Sequence, residues 1–519
     1  MAYSLTFKDD TRTLEDSEIN LILEKIKKWS EETPESYFFD DGLNQLTYRE
    51  LEDSSNALAS YLEKNYPNKN NILVYGGQDG RMIISFLACI KAGHCYVPVD
   101  IHTPDERVQM ILEESNATCA ISLGAWPLDE KDVITEEVFE TVIASKEMPS
   151  LNQVVLGNEN FYMIFTSGTT GKPKGVQISY NNLVSFCDWM LSDFSLETGQ
   201  RFLCQAPFSF DLSVMDLYPA LLTGGTLVAL SKDEVDNFPK LFARLPEMDL
   251  NIWVSTPSLV EICLLSPDFN NETLPNLVNF QFCGEELPHA VAKKLMDRFP
   301  KALIFNTYGP TEATVAITSV LITEEVLEST DRLPLGKVKG DTQLVILDDN
   351  GNDLPEGEIG EILIVGPGVS AGYFEQEEKT KEAFITYNGL PAYKTGDAGL
   401  IKDEHLFYKG RLDFQIKWHG YRMELGDIDH HMMEIDMVRN ACVVPKYNKN
   451  HKVQQLIAYV VLEDNQDIDQ KVKSNEIKEA LQKSVMEYMI PQRFVFVENL
   501  PLTPNGKVNR KQLIEEVNS

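Results

Sequence analysis

The residues with the clearest chemical meaning lie in an eleven-residue stretch, FTSGTTGKPKG, at positions 165–175. It follows the apolar run FYMIF and precedes a helical pattern that starts near Ser179. Its small and hydroxylated residues leave backbone N–H groups and hydroxyls able to surround phosphate oxygens, and Lys172 and Lys174 add positive charge. GTTG alone would favour a plainer interpretation, a turn with two solvated lysines. We call this stretch the Gly/Thr-rich loop.

The Gly/Thr-rich loop is not a Walker A loop. That motif requires GxxxxGK[ST]. Here the residue five positions before Gly171 is Thr166, and Pro173 follows Lys172. The residues themselves therefore exclude a P-loop NTPase.

The complete eleven-residue string is similar to the phosphate loop of the adenylate-forming superfamily. That superfamily contains acyl-CoA synthetases, luciferases and the adenylation domains of peptide synthetases. Further stretches resemble its other motifs in the expected order, so that the resemblance covers about residues 25–515. They are LTYREL (46–51), KAGHCYVPVD (91–100), NTYGPTEATVA (306–316), YKTGDAG (393–399), YKGRLDFQIKWHGYRMEL (408–425) and PLTPNGKVNRK (501–511).

The resemblance implies a site for ATP and Mg2+. Tyr308 supplies an aromatic face for a purine, and Glu312 supplies a hard oxygen ligand for Mg2+ on the triphosphate. Asp397 would accept hydrogen bonds from both ribose hydroxyls. The residues expected to bind ATP are Thr166, Ser167, Gly168, Thr169, Thr170, Gly171, Lys174, Asn306, Thr307, Tyr308, Gly309, Pro310, Thr311, Asp397, Tyr408, Lys409, Gly410, Arg411 and Lys507.

The resemblance also assigns roles near the C-terminus. Asp413 is the expected pivot of a hinge between two domains, residues 1–411 and 412–519. Lys507 would be catalytic and would reach both the substrate carboxylate and the α-phosphate. A cation there stabilises the charge that builds up during in-line attack. The plainer alternative is a solvated lysine beside an Asn-Gly turn.

Three residues bear on which acid is activated. In relatives that activate amino acids, an Asp in the context FD-x-S, here Asp211, pairs with the substrate ammonium group. The alternative role for Asp211 is to cap the following helix. Cys283 and Val315 would line the substrate pocket, and a thiol at that position takes up volume and suits a small side chain. Cys283 could equally be an ordinary buried cysteine.

These features are most similar to the subgroup that ligates D-alanine to a carrier protein, the first step of D-alanylation of (lipo)teichoic acid in Gram-positive bacteria. The resemblance implies that D-alanine attacks the α-phosphate of ATP, giving D-alanyl-AMP and pyrophosphate. The C-terminal domain then rotates, and the phosphopantetheine thiol of a small acidic carrier protein attacks the adenylate. The choice of D over L stereochemistry rests on the resemblance alone. A monomer is expected.

Three alternatives stay open. One is an acyl-CoA ligase for short acids, against which Asp211 argues. Another is a stand-alone adenylation enzyme for a different small amino acid, which only a substrate panel can distinguish. The third is a non-catalytic nucleotide-binding regulator, and the complete set of Lys507, Glu312, Asp397 and Arg411 argues against it.

The amino-acid composition limits which classes of molecule the protein is expected to bind. The 519 residues include 46 Lys plus Arg against 80 Asp plus Glu, a formal net charge of −34, which disfavours nucleic acid and anionic membranes. We expect no signal peptide and no membrane-spanning segment. Eight scattered cysteines without a CxxC pair indicate free thiols in the cytoplasm. If the carrier is acidic too, docking would need a local basic segment, predicted at residues 408–452.

The elements that must position these residues follow an alternating pattern. A buried strand at 70–77 and a helix at 81–94 closing on Gly93 indicate layered α/β structure with largely parallel sheets. GEIGEILIVG (357–366) is typical of a half-exposed antiparallel strand and predicts a small β-barrel-like part. The C-terminal part predicts a small α+β domain. In its helix, Ser474 is the expected N-cap and Pro491 the expected end.

Overall fold

The structure is a computed structural model that describes residues 19–129, 132–168, 171–330, 332–418, 420–448, 452–463, 469–503 and 508–519. The described residues divide into two compact units. The larger unit takes residues 19–101, Ser115–Ile164 and Gly175–Leu412. The smaller takes Asp413–Ser519 and two earlier segments, His102–Glu114 and Phe165–Lys174. The division into domains 1–411 and 412–519 stays a prediction.

The strands are numbered in chain order. They are β1 (Tyr37–Asp40), β2 (Gln45–Thr47), β3 (Asn71–Gly76), β4 (Cys95–Asp100), β5 (Ala117–Ser122), β6 (Val133–Ile134), β7 (Asn160–Thr166), β8 (Lys174–Ser179), β9 (Arg201–Cys204), β10 (Thr226–Ala229), β11 (Ile252–Ser255), β12 (Asn279–Phe282), β13 (Leu303–Tyr308), β14 (Thr318–Leu321), β15 (Lys337–Val338), β16 (Gln343–Leu347), β17 (Gly360–Val365), β18 (Phe384–Tyr387), β19 (Leu390–Lys402), β20 (His405–Arg411), β21 (Gln415–Trp418), β22 (Tyr421–Glu424), β23 (Val438–Tyr447), β24 (Val453–Leu462) and β25 (Arg493–Phe496).

The helices follow the same numbering. They are α1 (Leu21–Glu32), α2 (Tyr48–Asn65), α3 (Gly80–Ala92), α4 (Asp105–Glu114), α5 (Glu136–Ile143), α6 (Tyr180–Asp193), α7 (Val214–Leu222), α8 (Lys232–Asp236), α9 (Phe238–Arg244), α10 (Pro257–Cys263), α11 (His289–Arg298), α12 (Glu324–Ser329), α13 (Glu377–Ala383), α14 (Leu425–Met433), α15 (Gln470–Leu481) and α16 (Arg510–Asn518). Short 3-10 helices are Asp211–Ser213, Leu245–Glu247, Thr311–Ala313 and Glu487–Met489. Within the described ranges, every helix is too short or too polar to cross a bilayer.

Two mostly parallel sheets dominate the larger unit. One has the strand order β6-β5-β3-β4-β7-β8, and the other has the order β15-β14-β13-β12-β11-β9-β10-β1-β2. Helices between the strands bury apolar faces against these sheets, as parallel sheets require. The predicted strand at 70–77 is β3, and the predicted helix is α3, which ends at Ala92 and is followed by the C-cap Gly93 with φ 87°. A Cβ at Gly93 would come within 2.3 Å of the Gln153 carbonyl oxygen, so glycine is required there.

The larger unit also contains an antiparallel sheet, with the order β16-β17-β19-β18 and β20 paired to β19. The segment predicted as a half-exposed antiparallel strand is β17, which pairs with β16 and β19. This sheet presents Asp397 on β19 opposite Arg411 on β20.

The smaller unit has its own core around β23, β24 and β25. β23 and β24 are antiparallel, and β25 joins β24 in parallel. Helix α14 packs on β23, and its buried face includes Ile428 and Met432. This arrangement agrees with the α+β character predicted for the C-terminal part.

The predicted ends of one C-terminal helix are wrong. Helix α15 begins at Gln470 because the Asp469 carboxylate accepts hydrogen bonds from the first-turn N–H groups, whereas the Ser474 hydroxyl donates to a carbonyl inside the helix. The helix ends at Leu481, well before Pro491. A turn and the 3-10 helix Glu487–Met489 continue the same apolar spacing and bury it in the same core, which is why the pattern resembled one longer helix.

Candidate active site

In the larger unit, three of the predicted nucleotide residues form one hydrogen-bonded set. Tyr308 is the last residue of β13, and its hydroxyl donates to Asp397 Oδ2 at 2.5 Å. Asp397 Oδ1 accepts from Arg411 Nη1 at 3.0 Å, and the same nitrogen donates to the Thr395 carbonyl oxygen. Burial, and secondly the Asp397 charge, raise the pKa of Tyr308 well above its ordinary value, so the hydroxyl stays a donor. The set holds an aromatic ring and a carboxylate in fixed relation.

Strand β20 carries the neighbouring predicted contacts. Tyr408, exposed Lys409 and Gly410 precede Arg411 on this strand. The Arg332 guanidinium lies 5.2 Å from the centre of the Tyr408 ring. Burial, followed by the charge of Asp397, raises the pKa of Tyr408. The four predicted residues at 408–411 therefore share one strand beside Asp397.

The turn after β13 places the rest of this predicted set. Asn306 and Thr307 are buried, and their side chains donate to backbone carbonyls, which fixes the end of the strand. The Asn306 side-chain oxygen is buried and has no hydrogen-bond partner in the described part of the chain. At Gly309 a Cβ would lie 2.5 Å from the Ala316 Cα atom, so this close approach of two backbone segments requires glycine. Pro310 and the buried Thr311 lead into the 3-10 helix.

Glu312, the predicted metal ligand, is fully buried in the 3-10 helix Thr311–Ala313. Its Oε1 accepts a hydrogen bond of 2.8 Å from the Tyr373 hydroxyl, and its backbone carbonyl accepts from the Ser370 N–H at 2.9 Å. Among the described residues, no cluster of three His, Cys, Asp or Glu could hold a metal. A single carboxylate fits Mg2+ that takes its other ligands from phosphates and water.

Cys283 and Val315, the predicted pocket walls, contact each other. The Cys283 thiol donates to the Val315 carbonyl oxygen with an S···O distance of 3.8 Å, and both side chains are buried. Thr314 and Val315 have φ values of 59° and 69°, which β-branched residues rarely adopt. The Thr314 hydroxyl donates to the Gly368 carbonyl oxygen at 2.7 Å and helps to hold this conformation.

Asp211 is half-buried at the start of the 3-10 helix Asp211–Ser213, which leads directly into α7. The N-cap residues of these two helices, Phe210 and Ser213, make no side-chain capping hydrogen bond, and the capping alternative for Asp211 stays open. The Asp211 charge contributes to the raised pKa of Tyr162, after burial as the main cause. The Tyr162 hydroxyl is buried and has no hydrogen-bond partner in the described part of the chain. Asp211 and this hydroxyl are suited to meet a polar substrate group.

In the smaller unit, the Gly/Thr-rich loop contacts the segment that ends β22. The Ser167 hydroxyl accepts a hydrogen bond from the Glu424 N–H at 3.1 Å and donates to the Arg422 carbonyl oxygen at 3.4 Å. Lys174 is buried, with Nζ 3.9 Å from Glu424 Oε1. The Thr166 hydroxyl is buried without a hydrogen-bond partner among the described residues. Donors suited to phosphate are thus gathered in this loop.

Two glycines of the loop, Gly168 and Gly171, occupy positions with little room for a side chain. A Cβ at Gly168 would lie 2.2 Å from the Lys172 carbonyl oxygen. Gly171 has φ 78°, and its Cβ would lie 2.0 Å from a carbon of the His430 ring. Thr169 and Thr170 lie outside the described residues.

A buried charged cluster in the smaller unit was missed by sequence reasoning. The Arg107 guanidinium lies 3.9 Å from Asp427 Oδ2, and His431 Nε2 lies 3.7 Å from Asp427 Oδ1. Burial raises the pKa of Asp427, and the Arg107 charge opposes this shift. Arg107 and Asp427 are too far apart in the chain for spacing to suggest their contact.

Of the two residues predicted to act in the C-terminal part, the structure describes Asp413 but not Lys507. Asp413 is exposed, and its carboxylate accepts from the Gln415 N–H at 3.0 Å, which stabilises the turn before β21. Lys507 lies outside the described residues. Its predicted role therefore rests on the sequence.

Comparison with known proteins identifies the family. The family model described as "AMP-binding enzyme" matches residues 26–374, and the model "AMP-binding enzyme C-terminal domain" matches residues 427–507. This chain belongs to the AMP-binding enzyme family. Two relatives named D-alanine–D-alanyl carrier protein ligase, from Bacillus thuringiensis (strain Al Hakam) and Bacillus cereus (strain AH820), are each 48% identical over 501 residues. The matches cover 96% of this chain and 99% of each relative.

Solved structures share the fold of this AMP-binding enzyme. Holo-PA1221, described as an NRPS protein containing adenylation and PCP domains, is 25% identical with a TM-score of 0.80, over 95% of this chain and 84% of that chain. The Vibrio cholerae adenylation domain AlmE, in complex with glycyl-adenosine-5'-phosphate, is 21% identical with a TM-score of 0.78, over 97% and 98%. At that identity AlmE supports the fold alone.

These comparisons confirm the predicted superfamily and the predicted fold class, a large layered α/β part followed by a small α+β part. They also confirm that the chain is an enzyme, an ATP-dependent ligase that forms adenylates. The roles assigned to individual residues of this AMP-binding enzyme stay predictions. All eight cysteines are free, as expected from their spacing, and all eight are also buried.

Proposed function

We propose that this AMP-binding enzyme activates D-alanine as D-alanyl-AMP and transfers the D-alanyl group to the phosphopantetheine thiol of a separate carrier protein. One observation carries the choice of substrate and acceptor. Relatives named D-alanine–D-alanyl carrier protein ligase match 96% of the chain at 48% identity. The reaction would be the first step of D-alanylation of (lipo)teichoic acid. Eight free thiols are compatible with the reducing cytoplasm.

The geometry of the larger unit supports the nucleotide part of this proposal. Tyr308 would offer its ring to adenine while its hydroxyl holds Asp397 in place. Arg411 holds the other carboxylate oxygen, so Asp397 is oriented before ATP arrives. A carboxylate can accept more hydrogen bonds than these two, which lets it also accept from ribose hydroxyls.

The chemistry consists of two displacements. In the first, a D-alanine carboxylate oxygen attacks the α-phosphorus of ATP, a new P–O bond forms, and pyrophosphate leaves. In the second, the thiol sulfur attacks the carbonyl carbon of the adenylate and loses its proton. The thioester forms and AMP leaves. Lys507 would stabilise the negative charge that develops in the first displacement.

Glu312 would hold Mg2+ together with the phosphates of ATP. When bound, the ion would neutralise part of the negative charge of the triphosphate. The chain's own contribution is a buried carboxylate of fixed orientation. The hydroxyls of the Gly/Thr-rich loop, including Ser167 and Thr166, would bind phosphate oxygens.

The substrate groups proposed here are Asp211, Cys283 and Val315. Asp211 would pair with the ammonium group of D-alanine, because a partly buried carboxylate gains most from a charged partner. The contact between Cys283 and Val315 leaves less room for a side chain on that side, which favours a methyl group over larger ones.

Amino-acid-dependent ATP–pyrophosphate exchange tests the proposal, with D-alanine, L-alanine, glycine, D-serine and acetate in parallel. The expected result is strong exchange with D-alanine and little with L-alanine. Exchange with acetate, or without any acid, would assign the enzyme to the acyl-CoA ligases instead. Binding of ATP without exchange for any acid would favour the non-catalytic regulator.

The acceptor is tested separately with radiolabelled D-alanine. The holo carrier protein should become labelled, whereas the apo carrier, which lacks phosphopantetheine, should not. Equal labelling of free coenzyme A under the same conditions would contradict the carrier as the specific acceptor.

A further inference from the structure

Tyr373 lies against the predicted metal ligand, although no role follows from its position in the sequence. Its hydroxyl donates to Glu312 Oε1 at 2.8 Å across 61 positions of the chain. Both residues are buried, with 6% of Tyr373 and none of Glu312 exposed. The oxygens of a carboxylate buried to this degree need hydrogen-bond partners in place of water. The Tyr373 hydroxyl supplies one of them.

The segment around Tyr373 holds the whole turn that carries Glu312. The Ser370 N–H donates to the Glu312 carbonyl oxygen at 2.9 Å, and the Thr314 hydroxyl donates to the Gly368 carbonyl oxygen at 2.7 Å. Thr314 is in the left-handed region with φ 59°, a conformation that needs support from its surroundings. Residues 368–373 therefore fix both the backbone and the side chain of the predicted metal ligand.

The same segment is tied to β8, the strand that begins at the end of the Gly/Thr-rich loop. Tyr373 forms an antiparallel bridge with Val176, and the Phe374 N–H donates to the Gly175 carbonyl oxygen at 2.8 Å. The Tyr373 ring also packs edge-on against Phe384, with ring centres 5.3 Å apart. Backbone and ring thus place Tyr373 independently of its hydroxyl, so the hydroxyl can be removed without moving the residue.

We propose that Tyr373 is a positioning residue whose hydroxyl orients the Glu312 carboxylate for a divalent cation bound with ATP. This inference rests on the proposed function. Hydrogen bonds to a ligating carboxylate fix its rotamer, so binding the cation costs less side-chain freedom. Tyr373 does not itself touch the cation or the substrate in this proposal.

Direct cation binding provides the test. Mn2+ binding is measured by electron paramagnetic resonance with a non-hydrolysable ATP analogue and without amino acid. Tyr373→Phe should weaken Mn2+ binding by about 10-fold, the lower end of the effect usual for such hydrogen-bonded partners. In exchange assays the same variant should need more Mg2+ for half-maximal rate, with a smaller change in the rate at saturating Mg2+.

Tyr387→Phe is the matched control. Its hydroxyl donates to the Asp353 carboxylate at 2.6 Å, a bond of the same kind on an exposed part of the same unit. This control should bind Mn2+ like the unmodified enzyme. All variants are assayed well below the lowest melting temperature found by circular dichroism, so that lost folding is not mistaken for lost positioning.

A double variant separates positioning from a general structural role. In a Glu312→Gln background, Tyr373→Phe should change Mn2+ binding by less than about 2-fold, because the carboxylate it orients is gone. An equal effect in both backgrounds, or unchanged Mn2+ binding in Tyr373→Phe, would overturn the inference. Failure of the proposed function is distinguishable, since the unmodified enzyme would then show no exchange with D-alanine.

Discussion

Tyr308, Asp397 and Arg411 form a hydrogen-bonded set that, in the proposed function, would prepare a nucleotide site before the nucleotide binds. Each oxygen of Asp397 accepts a hydrogen bond, one from a neutral hydroxyl and one from a guanidinium. Such charge-assisted hydrogen bonds are about twice as strong as neutral ones. A carboxylate held in this way would lose little freedom if ribose hydroxyls replaced water around it, as proposed for Asp397.

Lys507 carries the most demanding prediction at the residue scale. Lys507→Ala should lower the rate of D-alanine-dependent ATP–pyrophosphate exchange by at least about 100-fold, because in the proposed role the cation would act where charge develops. ATP affinity, measured by isothermal titration calorimetry, should fall only a few-fold, since the other predicted contacts remain.

Lys511→Ala is the control for that substitution. Lys511 is an exposed lysine on α16, four positions further along the chain. Its removal should leave exchange unchanged. A Lys507→Ala enzyme that still exchanges at a near-normal rate would show that another group stabilises the developing charge.

At the scale of elements, the Gly/Thr-rich loop depends on two glycines and on its contact with α14. Gly171→Ala should lower the urea midpoint of the smaller unit for two reasons. Positive φ costs a non-glycine residue about 1–2 kcal/mol. The new methyl would also lie 2.0 Å from a ring carbon of His430. Urea unfolding followed by circular dichroism measures the sum of the backbone cost and the steric cost.

A second substitution separates these two causes. In the double variant Gly171→Ala/His430→Ala the steric conflict is absent. The loss of unfolding free energy caused by Gly171→Ala should then shrink to the backbone cost of about 1–2 kcal/mol. If the single and double variants lose equal stability, the His430 ring moves aside at no cost, and its contact with the new methyl group does not destabilise the protein.

The basic segment at 408–452 bears on carrier docking. Its lysines and arginines are Lys409, Arg411, Lys417, Arg422, Arg439, Lys446, Lys449 and Lys452, of which Lys449 lies outside the described residues. Reversing three of them that have no assigned role in ATP binding, Lys417, Arg439 and Lys446, to Glu should slow transfer to the carrier about 10-fold at low salt. Exchange should be unchanged, and added salt should reduce the difference.

The control is Lys301→Glu, an exposed position in the larger unit outside this segment. It should change the net charge of the enzyme without changing transfer by more than about 2-fold. Equal loss of transfer and exchange in the triple variant would contradict a docking role for the segment.

For the whole molecule, the formal net charge of −34 makes local arrangements decisive. Anionic ATP would be repelled at long range, and so would the acidic carrier of the proposed function, so binding of either would depend on short-range donors. Buried ionisable groups add a dependence of global stability on pH. His94 is the clearest case, because it is fully buried and its Nδ1 accepts from the Asn70 N–H at 3.3 Å.

Burial lowers the pKa of His94 from 6.5 to about 4. As the pH falls below 6.5, the unfolded chain therefore takes up a proton that the folded chain does not bind, and stability is lost until the pH reaches the folded pKa. From about pH 7.5 to about pH 5 this group should lower the free energy of unfolding by about 2 kcal/mol.

His94→Asn keeps an acceptor near the Asn70 N–H and does not titrate. The difference in the free energy of unfolding between the variant and the unmodified enzyme, measured with urea, should therefore narrow by about 2 kcal/mol from about pH 7.5 to about pH 5. Other ionisable groups cancel in this comparison. An unchanged difference would mean that His94 binds protons equally in both states.

The sequence by itself determined the superfamily, the layered α/β fold and the order of the site stretches. All three predictions depend on local sequence patterns. Examples are the residues of the loop at 165–175, the apolar run predicted as the strand β3, and the helical pattern of α3 followed by Gly93. Short-range sterics and backbone hydrogen bonding are set by neighbouring residues, so a local pattern is enough to predict them. The misplaced ends of α15 show the limit, because a turn can continue the apolar spacing of a helix.

Only the tertiary structure decided which distant side chains meet. Tyr373 contacts Glu312 across 61 positions, and Tyr308 contacts Asp397 across 89. The cluster of Arg107 with Asp427 joins segments still further apart. These contacts follow from how strands and helices pack, and packing is governed by burial and shape rather than by spacing along the chain.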